Sequence, residues 1–233
     1  MYNNFMETPR HIGIILDGNR RFAKAKGLPA FEGHRLGFEN LKKTAEYIFD
    51  KGVDILTVYA FSTENWNREK KEVAYLMDLF RILVNKEINK LSKRGIKVNF
   101  FGRLEDFEHD LQKSIKKARE KTKNGQRGIL NICLSYGGRD ELVRAFKKIV
   151  AQKITVDKID QELISQNLDS AGLPDPDMII RTSGEERLSG FLTWQSTYSE
   201  LYFPEKTWPE FMEADLDKAI LEYNKRQRRF GGN

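Results

Sequence analysis

A short polar segment near the start of the chain contains residue types that bind magnesium and phosphate. It directly follows an apolar run at residues 12–16 and consists of Asp17, Gly18, Asn19, Arg20 and Arg21. A carboxylate at the end of a strand can supply an oxygen ligand to Mg²⁺. Glycine lets backbone N–H groups approach a phosphate, and arginine neutralises the phosphate charge. A simple turn also uses Asp, Gly and Asn, but the two arginines favour a site for a phosphorylated ligand with a metal ion.

A second polar cluster follows the apolar run at residues 55–61. It consists of Ser62, Thr63, Glu64, Asn65, Trp66, Asn67 and Arg68. Serine, threonine and asparagine are expected wherever a helix begins, so a loop with a helix N-cap is the simplest alternative. Capping does not explain Trp66 or Arg68. We therefore interpret the cluster as part of a binding site.

A third cluster has the composition of a second anion site. Arg181, Thr182, Ser183 and Gly184 follow the apolar run at residues 178–180, and Arg187, Leu188 and Ser189 come shortly after. A salt-bridged surface turn would explain the same residues. His34, which follows Gly33, is a further candidate, although a helix start with a polar histidine fits it equally well. We expect Arg181, Arg187 and Ser189 to bind an anion apart from the Asp17 cluster.

The elements that must position these clusters follow from the hydrophobic pattern. The predicted strands are nearly continuous in Val, Ile, Leu and Phe, which is typical of parallel strands buried on both faces. They are residues 12–16, 55–61, 98–101, 129–134 and 178–180, with a sixth at 201–203. The predicted helices are residues 38–50, 70–93, 104–123, 141–152, 158–167 and 211–229. The alternation predicts one α/β domain, residues 1–233, with a central parallel sheet of about six strands flanked by helices.

This architecture brings the polar clusters together. The carboxyl ends of parallel strands share one edge of the sheet, where open α/β sheets bind their ligands. The helix at residues 70–93 carries a continuous apolar stripe from Val73 to Leu91. The stripe is compatible with ordinary core and also with one wall of an apolar tunnel, and periodicity does not separate the two.

Composition narrows the class of protein. The chain has 233 residues, 39% hydrophobic residues and a net charge of +6, which suits a single domain that binds nucleic acid, an anionic membrane or a phosphorylated substrate. Mixed charges at residues 67–72 and 116–123 are interpreted as solvated surface. The lone Cys133 lies in an apolar run and predicts a buried thiol in a reducing compartment. No signal peptide or membrane span is recognisable, so we expect a cytoplasmic protein.

Several common site motifs are absent from the sequence. There is no P-loop, no G-x-G-x-x-G, no H-E-x-x-H and no C-x-x-C, which argues against P-loop nucleotide, dinucleotide and zinc sites. There is also no Asp-Asp pair, which argues against the aspartate-rich motif of trans-type prenyl synthases.

Several segments stand in the order and approximate spacing typical of cis-prenyltransferases. They are residues 11–21, 33–34, 59–68, 136–139, 181–195, 200–203 and 228–232. The most specific are Asp-Gly-Asn-x-Arg from residue 17, Tyr-Ala-Phe-Ser-x-Glu-Asn-Trp from residue 59 and Arg-Thr-Ser-Gly-Glu-x-Arg-Leu-Ser from residue 181. The chain thus resembles the undecaprenyl diphosphate synthase-like cis-prenyltransferases from residue 10 to its end.

The resemblance implies an activity, a cofactor and partners. The enzyme would condense isopentenyl diphosphate repeatedly in cis onto an allylic, farnesyl-type diphosphate and make a long-chain polyprenyl diphosphate. It would use Mg²⁺ and form a homodimer or a close heterodimer. No nucleic-acid partner is expected. The product seeks membranes, so a peripheral association with the membrane is compatible with the predicted cytoplasmic location.

The resemblance also assigns roles by position. Asp17 matches an essential aspartate that works with Mg²⁺, and Glu200 matches a second acidic residue tied to the metal. Asn65 matches a residue often assigned to proton removal; because an amide is a poor base, we expect it to orient the reactants. Positions matching the allylic diphosphate site are Gly18, Asn19, Arg21, His34 and Arg68. Positions matching the isopentenyl diphosphate site are Arg181, Arg187 and Ser189. The remaining candidates for substrate binding are Arg20, Phe22, Ser62, Thr63, Glu64, Trp66 and Leu188.

The chain departs from the family pattern at three positions. Arg20 stands where bacterial relatives usually have Gly, Phe22 replaces a common Trp, and Ala30 replaces a common Arg, whose charge Arg20 could supply. The terminal Arg229-Phe230-Gly231 resembles a motif that reaches the active site of the neighbouring subunit.

Three other functions are weighed against this one. A phosphohydrolase with Asp17 as nucleophile would need a second aspartate where Asn19 stands. A catalytically silent partner subunit of a prenyltransferase would have lost the aspartate that this chain keeps. A nucleic-acid-binding protein would gather its basic residues on one face with stacking aromatics, whereas these arginines converge at strand ends.

Overall fold

A six-stranded parallel sheet forms the centre of the molecule. The computed structural model describes residues 7–226, so the terminal motif at residues 229–231 lies outside the described part. The strands are β1 (His11–Ile15), β2 (Ile55–Ser62), β3 (Ile96–Phe101), β4 (Gly128–Tyr136), β5 (Met178–Arg181) and β6 (Glu200–Tyr202). Their order is β3-β4-β2-β1-β5-β6, and every neighbouring pair is parallel. The predicted α/β class, the parallel sheet and the sixth strand are confirmed.

Both faces of the sheet are covered, as the apolar runs predicted. Successive residues of a strand point to opposite faces, and Ile14 and Ile15 accordingly belong to two separate core clusters. The larger cluster packs helices on one face, and the smaller one gathers Tyr59, Cys133 and Phe191 on the other. Cys133 is fully buried, as expected.

The helices flank the sheet. They are α1 (Asn19–Ala25), α2 (Ala30–Asp50), α3 (Lys70–Ile82), α4 (Ile88–Lys93), α5 (His109–Thr122), α6 (Gly138–Ala151), α7 (Gln161–Asn167) and α8 (Glu213–Lys225). A π-helical segment, Leu83–Glu87, joins α3 to α4, so the predicted helix 70–93 is interrupted. Short 3₁₀ segments include Thr63–Asn67, Leu104–Asp106 and Trp208–Glu210. Within residues 7–226, no helix has both the length and the apolar character needed to cross a bilayer.

The start of α2 differs most from the sequence prediction. The helix begins at Ala30 rather than at residue 38, and the preceding helix α1 was not predicted. Two glycines inside α2 explain the difference. A Cβ on Gly33 would lie 2.0 Å from the carbonyl oxygen of Asn19, and one on Gly37 would lie 2.2 Å from Asn19 Oδ1. Here glycine permits the close approach of α1 to α2, which brings the Asp17 cluster against His34.

Candidate active site

One large cavity opens at the carboxyl ends of the strands. Its volume is about 1240 Å³, and both polar and apolar residues line it. The polar part contains most of the predicted site residues: Asp17, Gly18, Asn19, Arg20, Arg21, His34, Ser62, Thr63, Glu64, Asn65, Arg68, Arg181 and Ser189. Phe22, Trp66, Arg187, Leu188 and Glu200 do not line it. The structure therefore brings three segments that are far apart in sequence to one edge of the sheet.

Asp17 is held in place by the strand next to it. The backbone N–H of Asp17 donates to Thr182 Oγ1 at 3.0 Å, and that hydroxyl donates to the carbonyl oxygen of Asp17 at 2.7 Å. The backbone N–H of Trp208 also donates to this carbonyl, at 2.8 Å. Gly18 follows with φ of +101°, a conformation that glycine adopts without strain. Thr182 is fully buried, and sequence analysis gave it no specific role.

The carboxylate of Asp17 lies between two arginines. Arg181 Nη2 and Nε donate to Asp17 Oδ2 at 2.8 and 3.2 Å, and Arg21 Nη2 lies 3.2 Å from Asp17 Oδ1. Partial burial raises the pKa of this carboxyl, but the hydrogen bonds and charge of the two arginines outweigh it, so the net pKa is below the ordinary value. Asp17 is therefore a carboxylate throughout the neutral range.

The two predicted anion sites are connected through charged side chains. Arg181 Nη1 donates to Ser189 Oγ at 2.8 Å and to the carbonyl of Arg187. Arg187 pairs with Glu185, and Glu185 Oε1 accepts from Arg21 Nη1 at 2.6 Å. Because Arg21 also contacts Asp17, these residues form a closed ring. Arg181 thus contacts a residue of each predicted site, Asp17 and Ser189, whereas Arg187 lies outside the cavity lining. The anion that Arg181 binds stays a prediction.

The donor set around Asp17 fits a magnesium ion that is shared with substrate phosphates. Mg²⁺ commonly takes one or two protein carboxylates and completes its shell with phosphate oxygens and water. The Oδ1 atom of Asn19 does not contribute to this set as it stands, because it is buried against Gly37 of α2. Within residues 7–226, no three His, Cys, Asp or Glu side chains converge as a protein-only metal site. The carboxylate of Asp17, which lines the cavity, is the group here that would hold a metal together with a diphosphate.

Within one chain, Glu200 lies away from Asp17 along the strand direction. It is the first residue of β6, in register with Met178, which is in register with Ile12. Ile15, the last β1 residue before Asp17, is three residues further along the strand direction, or roughly 10 Å. The carboxylate of Glu200 instead accepts from Arg226 Nη1 at 2.7 Å. Its match to a metal-linked residue stays a prediction.

A carboxylate that was predicted to be solvated surface contacts three residues that line the cavity. Glu72, on α3, accepts a hydrogen bond from Arg68 Nη1 at 3.0 Å and lies 3.0 Å from His34 Nε2, and Arg20 Nη1 is 3.8 Å away. Only 12% of its side chain is exposed. The mixed-charge run at residues 67–72 predicted a solvated face, and for Glu72 that interpretation is wrong because α3 packs this side chain against His34 and Arg68. In the sequence Glu72 stands among lysines, as a surface glutamate does, so nothing in the sequence predicted its contact with His34.

His34 is neutral in this environment. Burial is the largest effect and lowers the pKa of the imidazole, and the charges of Arg68 and Arg20 lower it further. Glu72 raises the pKa, but the net pKa is below the ordinary value. A neutral imidazole with its proton on Nε2 donates a hydrogen bond to Glu72. The positive charge in this part of the site therefore comes from Arg68 and Arg20.

The loop that follows β2 has a fixed shape. Ser62 and Asn65 form a capping box, in which the backbone N–H of Ser62 donates to Asn65 Oδ1 at 3.0 Å. The amide of Asn65 therefore has a defined orientation in the cavity lining. Trp66 turns the other way and packs against Phe61 and Phe107, with ring centroids 5.0 and 5.4 Å apart. Its indole lies outside the cavity.

The apolar part of the cavity lies between α2, α3 and β2. It is lined by Phe38, Leu41, Ala60, Leu76, Leu79 and Phe80. The apolar stripe of α3 therefore contributes both to the core and to the cavity wall. A cavity that is lined by both arginines and apolar side chains suits a diphosphate with a hydrocarbon chain attached to it.

Comparisons with known proteins agree with this geometry. A prenyltransferase family model described as putative undecaprenyl diphosphate synthase matches residues 15–231. An isoprenyl transferase of Clostridium perfringens is 46% identical over 228 residues, covering 96% of this chain and 90% of that protein. A ditrans,polycis-undecaprenyl-diphosphate synthase of Legionella pneumophila, described as specific for (2E,6E)-farnesyl diphosphate, is 42% identical over 227 residues, covering 96% and 95%.

A solved structure has the same fold. Lavandulyl diphosphate synthase from Lavandula x intermedia, crystallised with dimethylallyl diphosphate, superposes with a TM-score of 0.93 at 34% identity. The match covers 96% of this chain and 98% of that one.

Proposed function

Because the chain belongs to the undecaprenyl diphosphate synthase family of prenyltransferases, we propose that its cavity holds two diphosphates around Asp17 and Arg181. The chain is a cis-prenyltransferase that condenses isopentenyl diphosphate onto an allylic diphosphate. The proposal assigns the two substrates to named residues within a single domain, residues 1–233. The observation that carries it is the contact of Arg181 with both Asp17 and Ser189.

The allylic diphosphate is assigned to the side of the cavity near α1. Arg21 and Arg68 supply the positive charge there, and the backbone at Gly18 and Asn19 is close enough for phosphate contact. Arg20, exposed over 61% of its side chain, stands at the rim near Glu72 and supplies the charge that Ala30 lacks. Isopentenyl diphosphate is assigned to Arg181, Arg187 and Ser189, with Arg187 turning in from its pairing with Glu185 when the anion binds.

The reaction requires separation of charge in a space without water. The allylic C–O bond breaks with its electron pair leaving on the diphosphate, and Arg21 and Arg68 stabilise that developing anion. Mg²⁺, when bound with Asp17, would supply further neutralisation of the leaving diphosphate. The allylic carbon then bonds to the terminal alkene carbon of isopentenyl diphosphate, which loses a proton to form the new double bond. The apolar wall excludes water from the cation.

Asn65 is assigned a role in orientation. Its Oδ1 accepts the backbone N–H of Ser62, which orients the amide so that its N–H groups can donate to a substrate oxygen. An oxygen of a bound diphosphate is a better acceptor for the departing proton than this amide. Asn65 then fixes where that oxygen lies.

The assembly and the product are also proposals. Helix α6 exposes Val143, Phe146 and Val150 along one face, at spacings of three and four residues. Such an apolar stripe supports a homodimer, in which Glu200 would be available to a neighbouring subunit. The apolar cavity supports a long-chain polyprenyl product and an extended tunnel. Because a long-chain polyprenyl product partitions into membranes, the proposal includes a cytoplasmic enzyme that associates peripherally with the membrane.

The assay that tests the proposal measures transfer of labelled isopentenyl diphosphate into an organic extract. Purified protein is incubated with farnesyl diphosphate, with Mg²⁺ or with EDTA. The proposal expects extractable label only with the metal and the allylic starter present. Equal incorporation with EDTA would contradict the assigned metal, and incorporation without any allylic diphosphate would contradict the assigned pair of substrates.

A further inference from the structure

Trp66 anchors the loop between β2 and α3 from behind the active site. Its neighbours in sequence, Asn65 and Arg68, line the substrate cavity, but its indole lines a separate groove of about 340 Å³ on the other side of the loop. The ring packs on Phe61 and Phe107. The indole of Trp66 therefore does not line the substrate cavity, and its connection to that cavity runs through the backbone of the loop.

The indole N–H is held by a buried hydroxyl. Trp66 Nε1 donates to Ser135 Oγ at 2.9 Å, and Ser135 Oγ donates in turn to Asp106 Oδ2 at 2.5 Å. Arg103 Nε lies 3.2 Å from the same carboxylate oxygen. A serine hydroxyl has one proton to donate and lone pairs to accept. Ser135 is thus fixed in one orientation by an acceptor on one side and a donor on the other.

The backbone of Ser135 is strained. It has φ of +46° and is fully buried at the carboxyl end of β4. Non-glycine residues in this region are uncommon and are maintained only when their surroundings enforce the conformation. The enforcing contact is the turn after β3: the N–H of Arg103 donates to the Ser135 carbonyl at 3.1 Å, and a Cβ on Gly102 would lie 2.0 Å from the Leu134 carbonyl oxygen.

This turn is itself tied to the body of the protein. The N–H of Gly102 donates to Asp169 Oδ2 at 2.8 Å, and Arg144 on α6 binds both oxygens of Asp169 at 2.8 and 2.7 Å. A two-point arginine–carboxylate pair has a defined geometry. The loop bearing Asn65 and Arg68 is therefore linked through Trp66, Ser135 and the turn at Gly102 to α6.

We propose that Ser135 and Asp106 are positioning residues for the condensation, which hold Trp66 and thereby fix Asn65 and Arg68 against the diphosphates. The inference rests on the proposed roles of Asn65 and Arg68. A strained serine that serves only packing would be replaceable by glycine with a gain in backbone freedom. A positioning serine would not be, because glycine lacks the hydroxyl that receives the indole N–H.

The experiment is a set of variants that remove single links. Trp66→Phe keeps an aromatic ring but loses the N–H, Ser135→Gly loses the hydroxyl and relieves the backbone, and Asp106→Ala loses the acceptor. Each is expected to lower kcat at saturating substrates about tenfold, the size of one lost hydrogen bond expressed in the transition state. The double variant Trp66→Phe/Ser135→Gly should be no slower than the slower single variant, because both break the same link.

The matched control is Ser165→Ala. Ser165, on α7, accepts the indole N–H of Trp194 at 3.0 Å, outside the residues that line the cavity. The variant Ser165→Ala removes an indole–serine hydrogen bond elsewhere in the molecule. Its kcat is expected to stay within twofold of wild type. The thermal midpoint is recorded for every variant, so that kcat is compared well below unfolding.

A spectroscopic measurement separates positioning from stability. The tryptophan emission that Trp66→Phe removes belongs to Trp66, and acrylamide should quench that component more strongly in Asp106→Ala than in wild type. Normal kcat in Ser135→Gly and Asp106→Ala, or a double variant whose loss equals the product of the single losses, would overturn the inference. Asn65→Ala and Arg68→Ala are measured alongside: normal kcat in these two would refute their proposed roles independently of the network.

Discussion

Asp17 and Arg181 are joined by two hydrogen bonds to one carboxylate oxygen, at 2.8 and 3.2 Å. The guanidinium of Arg181 is almost fully buried, and its third nitrogen contacts Ser189. The carboxylate proposed to hold the metal and the second predicted anion site are thus connected through one guanidinium. Substitutions of Arg181 should therefore raise KM for both substrates.

Two arginine variants test whether this unit is shared. Arg181→Lys retains the charge but loses the two-point geometry, and we expect it to raise KM for isopentenyl diphosphate and for the allylic diphosphate together. Arg187→Ala, at an arginine that does not line the cavity, should raise KM for isopentenyl diphosphate strongly and leave the allylic KM nearly unchanged. Steady-state kinetics with each substrate varied in turn gives both values. An allylic KM unaffected by Arg181→Lys would contradict a shared arginine.

Asp17→Ala should lower turnover on the order of 10³-fold, comparable to the loss of one major electrostatic stabiliser. The reason is that this variant would remove the proposed metal ligand and the carboxylate that balances the charges of Arg21 and Arg181. Asp54→Ala is the control, since Asp54 forms an exposed pair with Arg10 away from the cavity. Turnover of Asp17→Ala within tenfold of wild type, in folded protein, would remove Asp17 from the mechanism.

Product length should depend on Ala60. This residue lines the apolar part of the cavity together with Leu76 and Phe80 on α3. Ala60→Leu adds three carbons, and overpacking of this kind typically costs about 1–3 kcal/mol. We expect shorter products with a normal first condensation, read by mass analysis of the extracted lipids.

Ala74→Leu is the matched control for Ala60→Leu. It adds the same atoms to α3 but lines the second groove, so it should leave product length unchanged. If Ala60→Leu gives wild-type products, the growing chain follows another path and the α3 stripe is ordinary core.

His34 should make stability depend on pH in a predictable direction. Its folded pKa lies below the ordinary value of 6.5. The unfolded state therefore binds a proton first as pH falls, so the contribution of the neutral ring is complete above about pH 6.5 and declines below it. The difference in free energy of unfolding between wild type and His34→Gln should be constant above that pH and shrink below it. A difference that grows on acidification would mean a raised pKa.

Much of the fold was predictable because buried parallel strands have an unambiguous pattern. The runs that predicted β1, β2, β4 and β5 end within one or two residues of the observed strands. The early start of α2 was not predictable from propensity, since Gly33 and Gly37 disfavour a helix. Their presence is explained only by the close approach of Asn19, which is a tertiary contact.

The candidate site was predictable where residue types are unusual for a turn, as with Asp17, Arg21 and Arg68. It was not predictable where an ordinary residue acquires its role from packing. Glu72 resembles any surface glutamate until α3 packs beside His34. Trp66 has a residue type that suggests substrate contact, yet its indole faces Ser135 and Phe107 because the capping box at Ser62 turns the loop.

The most direct test of the account is the geometry of the double bonds that the purified enzyme makes. Protein, Mg²⁺, farnesyl diphosphate and ¹³C-labelled isopentenyl diphosphate are incubated, and the extracted product is sized by mass and analysed by NMR. The account predicts a polyprenyl diphosphate in which every added unit has the cis configuration, and its absence in Asp17→Ala. Added units with trans double bonds, or wild-type product formation by Asp17→Ala, would contradict it.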